Sequence, residues 1–196
     1  MKKICLLTVL ILSMSIGAKA QELHFGIKGG LNFATVGGDD TEDLKMRTAF
    51  HLGALMEVRF SEVFAIQPEV LYSAQGTSGE EDGLDVDIKM DYINVPIMAK
   101  YNFSEKFSVE AGPQIGFLVS TKAKTDGVEV DLDEYDLFND FDFGLAVGLS
   151  YKIMPNLFVS GRYNLGLSNI NNDSGDFESE GSNQNNVIQL SIGYMF

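Results

Sequence analysis

Residues equipped for chemistry are scarce in this chain of 196. It has two histidines, His24 and His51, a single cysteine, Cys5, and no tryptophan. Hydrolysis by a nucleophilic side chain needs a base within hydrogen-bond reach and a third group to orient that base. Neither histidine has such a set beside it, and both stand at the polar positions of alternating apolar and polar runs. They are expected to be polar filling, with no catalytic residue and no cofactor. Asp131, Asp133, Glu134 and Asp136 have the carboxylate density of a hard-cation loop. They lack the glycine and terminal glutamate of an EF-hand, so a solvated, self-repelling loop is the default expectation and cation binding the alternative. A third group mixes signs. Lys28, Glu57, Arg59, Glu69, Lys100, Glu110, Asp142, Lys152 and Arg162 recur at alternate positions of otherwise apolar segments. Such a nearly balanced set is suited to internal ion pairs.

Charge and the first residues indicate the compartment. Lys2 and Lys3 precede an apolar run from Ile4 to Ile16, and Ala18-Lys19-Ala20 ends it in a small-x-small pattern. This is the layout of a cleaved secretory signal over residues 1–20. The run is too short for the roughly 20 apolar residues of a spanning helix. Cleavage would remove three of the 14 basic residues, none of the 28 acidic ones, and the only cysteine. The remaining chain, 21–196, is strongly acidic, which argues against nucleic acid as a partner.

The elements that must position the charged set are strands. Period-2 alternation runs over 23–33, 50–60, 64–74, 93–103, 107–119, 141–151, 157–167 and 188–196, with Gly and aromatic residues plentiful. Eight segments of about 11 residues have the length of tilted transmembrane strands. Their connections alternate. Residues 61–63, 104–106 and 154–156 are tight turns, whereas 34–49, 75–92, 120–140 and 168–187 are long and hold 21 of the 28 acidic residues. This predicts an all-β, eight-stranded antiparallel up-and-down transmembrane barrel, with short periplasmic turns and long acidic extracellular loops. Pro68, Pro96 and Pro113 each remove a ladder donor, so loosened pairing is expected beside them.

A soluble barrel with an apolar interior would also alternate, and three features separate the two. The apolar face carries no charged side chain, as lipid demands. Nearly all strand glycines (Gly26, Gly30, Gly53, Gly112, Gly116, Gly144, Gly148, Gly166, Gly193) fall on the polar face, where a narrow lumen needs small residues. Aromatics gather at strand ends, as Phe60, Tyr101, Phe103 and Tyr194 do beside the turns and Phe50, Tyr72 and Phe141 do towards the loops, like two interfacial girdles. The turn at 104–106 also sets a register. It places Lys100 opposite Glu110, where an ion pair is expected.

Six segments together resemble the small outer-membrane β-barrel proteins of the Bacteroidota, the PorT-like or porin-family group. They are Gly26 to Phe33, Tyr92 to Tyr101, Gly112 to Gly116, Asp142 to Gly148, Arg162 to Ile170 and Tyr194 to Phe196. The resemblance implies an eight-stranded barrel in the outer membrane. One type in that family is linked to protein secretion, and a small channel is the other alternative. The expected contacts are outer-membrane lipid, divalent cations or lipopolysaccharide at the acidic loops, and an envelope protein partner.

Overall fold

The computed structural model describes residues 22–38, 44–81, 84–125, 128–133, 137–171 and 182–196. The expected signal segment 1–20 lies outside them, as do the loop acids Asp39, Asp40, Glu42, Asp43, Asp82, Asp126, Glu134, Asp136, Asp173, Asp176, Glu178 and Glu180.

The strands are β1 (Glu22–Gly38), β2 (Lys45–Arg59), β3 (Phe64–Glu81), β4 (Leu84–Asn102), β5 (Phe107–Thr125), β6 (Val128–Asp131), β7 (Phe141–Lys152), β8 (Leu157–Gly166) and β9 (Asn183–Met195). All pair antiparallel, β1 with both β2 and β9 and β4 with β5, so eight strands close a ring. The short β6 adds to the outer end of β5 without joining the ring. Three tight turns repeat one hydrogen-bond pattern, in which the amides of Phe60 and Ser61, of Phe103 and Ser104, and of Ile153 and Met154 donate to the carbonyl of the strand-opening residue. In two of them a serine hydroxyl, Ser61 or Ser104, also accepts from that residue's amide at 3.1 Å. These local bonds fix the registers.

Exposure is inverted relative to a water-soluble protein, in which large apolar side chains are inside and charges outside. Leu52 and Val147 are each 60% exposed, while Lys28 is 2% and Arg162 3% exposed. Along β7 exposed and buried residues alternate without exception from Phe141 to Tyr151. An aliphatic exterior around a charged interior is stable only where lipid is the solvent. Aromatic contacts band both ends of it, with Phe60 against Phe64 and Tyr101 against Phe103 at the turns, and Phe50 against Tyr72 and Phe117 against Phe141 at the other end.

The prolines act as expected. Pairing of β2 with β3 skips from Leu55↔Glu69 to Val58↔Ile66, of β3 with β4 from Pro68↔Ile97 to Leu71↔Asn94, and of β4 with β5 from Pro96↔Gln114 to Ala99↔Ala111, each without a change of register.

One expectation, that the long connections are loops, needs correction. Segments 34–49 and 75–92 are largely strand: β1 and β2 reach Gly38 and Lys45, and β3 and β4 stay paired out to Glu81↔Leu84. Segment 120–140 likewise carries the outer end of β5 and β6. The reason is visible in β4. Its membrane part turns the odd residues Ile93, Val95 and Ile97 outward, whereas beyond a bulge at Asp91/Tyr92 the even residues Ile88 and Met90 turn inward. Above the lipid, water surrounds the sheet and the apolar side returns to the inside. Val36, Met90, Tyr92 and Ile170 are buried there, with Leu44, Ile88, Leu118 and Phe138 packed against them, forming an apolar cap over the outer mouth.

A ring without an edge strand resists detergent. The protein is expected to migrate differently in SDS gels before and after boiling; identical migration at every temperature would contradict closure.

The barrel lumen as candidate functional site

The inward positions form layers. At the turn end, Glu57 of β2 accepts from Lys100 Nζ at 2.7 Å and from Arg59, through Nη2 at 2.7 Å and Nε at 3.1 Å. Gln67 also accepts from Lys100 at 2.9 Å and donates to Glu69 at 2.7 Å, linking this layer to the next. In the middle layer Glu69 takes Lys28 Nζ at 2.7 Å and Arg162 Nη2 at 2.8 Å, and Glu110 takes Arg162 Nη2 at 2.7 Å and Nε at 3.0 Å. Two cations and two carboxylates, all nearly or wholly buried, close on one another. A pair removed from water is compensated only by such good geometry.

The structure thus brings seven of the nine lumen candidates into two ion-paired layers. Lys152 lies at the turn end and makes no ion pair among the described residues. Asp142 stands apart towards the outer end, 8% exposed, accepting from the Ser168 hydroxyl at 2.6 Å. The Lys100 and Glu110 backbones are opposite, as the turn required. The ion pair expected between them is absent. Inside a closed barrel every wall projects towards one axis, so Lys100 reaches past Gln67 to Glu57, and the fork of Arg162, two strands away on β8, occupies Glu110.

Outward of the ion pairs lies a neutral layer that the sequence concealed. His51 Nδ1 lies 2.8 Å from Asn32 Oδ1 and its Nε2 lies 2.8 Å from Ser191 Oγ. Asn32 Nδ2 donates to the carbonyls of Phe50 and Ala74, which fixes its amide with Oδ1 towards the ring. The imidazole therefore carries its proton on Nδ1 and accepts the Ser191 hydroxyl on Nε2. This is the hydrogen-bond order of an acyl-transfer triad. Its surroundings do not suit acyl transfer: His51 is 1% and Ser191 7% exposed, and Ser191 is paired with both Gly30 and Ser160. The ladder on both sides leaves no pair of free amides to receive an oxyanion. The triad order ties β2 to β9 over the intervening β1. Positions 32, 51 and 191 are far apart in sequence, so only closure of the ring reveals the set.

The acidic candidates at the outer end are turned to the backbone. Asp131 Oδ1 accepts from the Asp133 amide at 3.0 Å and Asp133 Oδ1 from the Thr121 amide. Glu134 and Asp136 lie outside the described residues. No group of three or more His, Cys, Asp or Glu is arranged for a metal ion among the described residues. Glu129 of β6, exposed, accepts from both Lys89 and Lys122, and these bonds hold its carboxyl below the usual carboxylate range. A depressed folded-state value stabilises above the unfolded value and is lost as pH falls through the folded one. Acidification is expected to leave the NMR signals of Lys122 to Lys124 and Val128 to Val130 in place until the pH falls below the usual carboxylate range, and Glu129→Gln should reproduce at neutral pH the shifts seen there. Unchanged signals in that variant would remove Glu129 from the hairpin's support.

The outer membrane protein beta-barrel domain family matches residues 19–172. Among solved structures, Neisserial surface protein A is similar over 88% of this chain and 97% of its own, at 13% identity and a TM-score of 0.57. Ail, the attachment invasion locus protein of Yersinia pestis, is similar over 89% of this chain and 99% of its own, at 19% identity and a TM-score of 0.51, in a structure with the heparin analogue sucrose octasulfate bound. No curated protein matches the chain in sequence.

Proposed function

Since the chain belongs to the outer membrane protein beta-barrel domain family, we propose that it is a non-catalytic, non-conducting barrel of the outer membrane that works through its outer end, after cleavage of residues 1–20. The observation that carries this is the closure of the lumen twice over, by the Lys28, Glu69, Glu110 and Arg162 ion pairs in the middle and by the cap around Tyr92 above. What remains for contact is the set of hairpins beyond the bilayer, rich in carboxylates. Their sign makes them complementary to divalent cations, to cation-bridged lipopolysaccharide or to a basic face of an envelope protein. It is opposite to what a polysulfated ligand such as that bound by Ail would need.

In planar bilayers the purified protein is expected to give no stable conductance, because a lumen of this size is filled by side chains. Stepwise ohmic openings at low protein dose would establish the small-channel alternative instead. Crosslinking in intact cells followed by co-purification tests the partner. Recovery of secretion-machine components would support an accessory role of the PorT-like kind, and recovery of lipopolysaccharide, lost on chelation, would support the cation-bridged contact.

A further inference from the structure

The turn end of the lumen is hollow. A cavity of about 310 Å³ lies just inside it, walled by Arg59, Lys100 and Lys152 with His24 and the apolar side chain of Phe158. A wider cleft of about 520 Å³ adjoins it, sharing Arg59 and Lys152 and carrying Glu22, Glu62 and Glu105 at its rim. The two differ in sign. In the inner cavity three cations face one carboxylate, Glu57, which already serves Lys100 and Arg59 together. Lys152 is left without an ion pair among the described residues, and His24 Nδ1 is buried with no partner. Phe158 is an aromatic on the otherwise polar inward face of β8, 7% exposed, with Lys100 Nζ 5.9 Å from its ring centre, and Gly193 provides the space for that ring. In the outer cleft the balance reverses, three carboxylates against Arg59 and Lys152.

We propose that this vestibule is a binding site for the carboxylate end of a small ligand entering from the periplasm, of the type of a peptide C-terminus. The carboxylate lies between Lys152, which Glu57 does not engage, and Arg59, whose Nη1 faces only the rim carboxylate of Glu22 among the described residues, at a longer 3.6 Å. An apolar stem of one or two carbons rests on Phe158. The acidic rim admits a neutral or ammonium-bearing remainder and rejects a chain of further negative charge. The periplasmic direction follows from the short turns, which in outer-membrane barrels face that side. The site is independent of the role proposed for the outer hairpins.

The test is an NMR titration of the full-length mature protein in micelles, following the amides of Asn156, Leu157 and Phe158. N-acetylalanine is expected to give saturable shifts in the millimolar range. Lys152→Met should weaken them at least tenfold, Lys152→Arg should retain them, and Glu105→Gln, in an exposed turn, should tighten binding about two- to threefold by removing a rim charge. The neutral amide of the same compound should give no saturable shift, and inorganic phosphate should bind more weakly because it brings a second charge past the rim. Equal shifts with acid and amide would reduce the vestibule to an apolar crevice. Wild-type affinity in Lys152→Met, weaker binding in Glu105→Gln, or tighter binding of phosphate than of the carboxylate would each overturn the assignment.

Discussion

Glu69→Gln is expected to lower the unfolding free energy by about 3 to 5 kcal/mol, the usual cost of leaving buried charge without its partner. Among the described residues Glu69 is the only carboxylate that touches both Lys28 and Arg162, and the three side chains are each 1% exposed or less. After the change, Glu110 alone faces two cations. The double variant Lys28→Met with Glu69→Gln keeps one cation and one carboxylate, Arg162 and Glu110, still bonded at 2.7 Å. It is expected to recover a large part of the loss. Reversible urea unfolding in lipid vesicles measures both, and strictly additive effects would show that the layer is wet enough to screen its members.

Gly30→Ala is expected to destabilise by about 1 to 3 kcal/mol or to prevent assembly, because overpacking against backbone has no cheap relief. A Cβ at Gly30 would lie 1.9 Å from the Leu190 carbonyl oxygen, so β1 and β9 would have to part at the seam that closes the ring. Gly161 provides the control. It lies on the lipid side, and its Cβ would meet nothing nearer than Leu190 Cδ2 at 3.7 Å. Gly161→Ala should stay within about 0.5 kcal/mol of the parent. Equal effects at the two sites would mean that the inward glycines are not set by the approach of neighbouring strands.

The two glycines also show what was legible beforehand. Period-2 alternation put Gly30 inside and Gly161 outside, and three-residue turns fixed which residues stand opposite, down to Lys100 and Glu110. Both are local properties of a strand or a turn. Partner choice in the lumen is not local. Lys100 bonds Glu57 and Arg162 bonds Glu69, at sequence separations of 43 and 93 residues, because side chains from all walls meet on one axis. Ser191, His51 and Asn32 were hidden for the same reason. The outer strands failed differently. The alternation of Val86, Ile88 and Met90 with Asp85, Asp87 and Lys89 was present, but the acid content suggested a loop, and the apolar parity is opposite to that of Ile93 onward.

That change of parity in β4 gives the barrel a preferred height in the bilayer. Below Tyr92 the strand is oily on its outer surface, and above it the oily side is turned in under the cap, with Asp87 and Lys89 on the other face. Sinking by one residue pair would carry those charges towards hydrocarbon, and rising by one pair would bring Ile93 into water. Both displacements raise the energy, at up to roughly 2 to 4 kcal/mol for a cation drawn to mid-bilayer. The molecule therefore behaves as a float with a fixed waterline, and the hairpins above it stand at a set distance from the membrane surface.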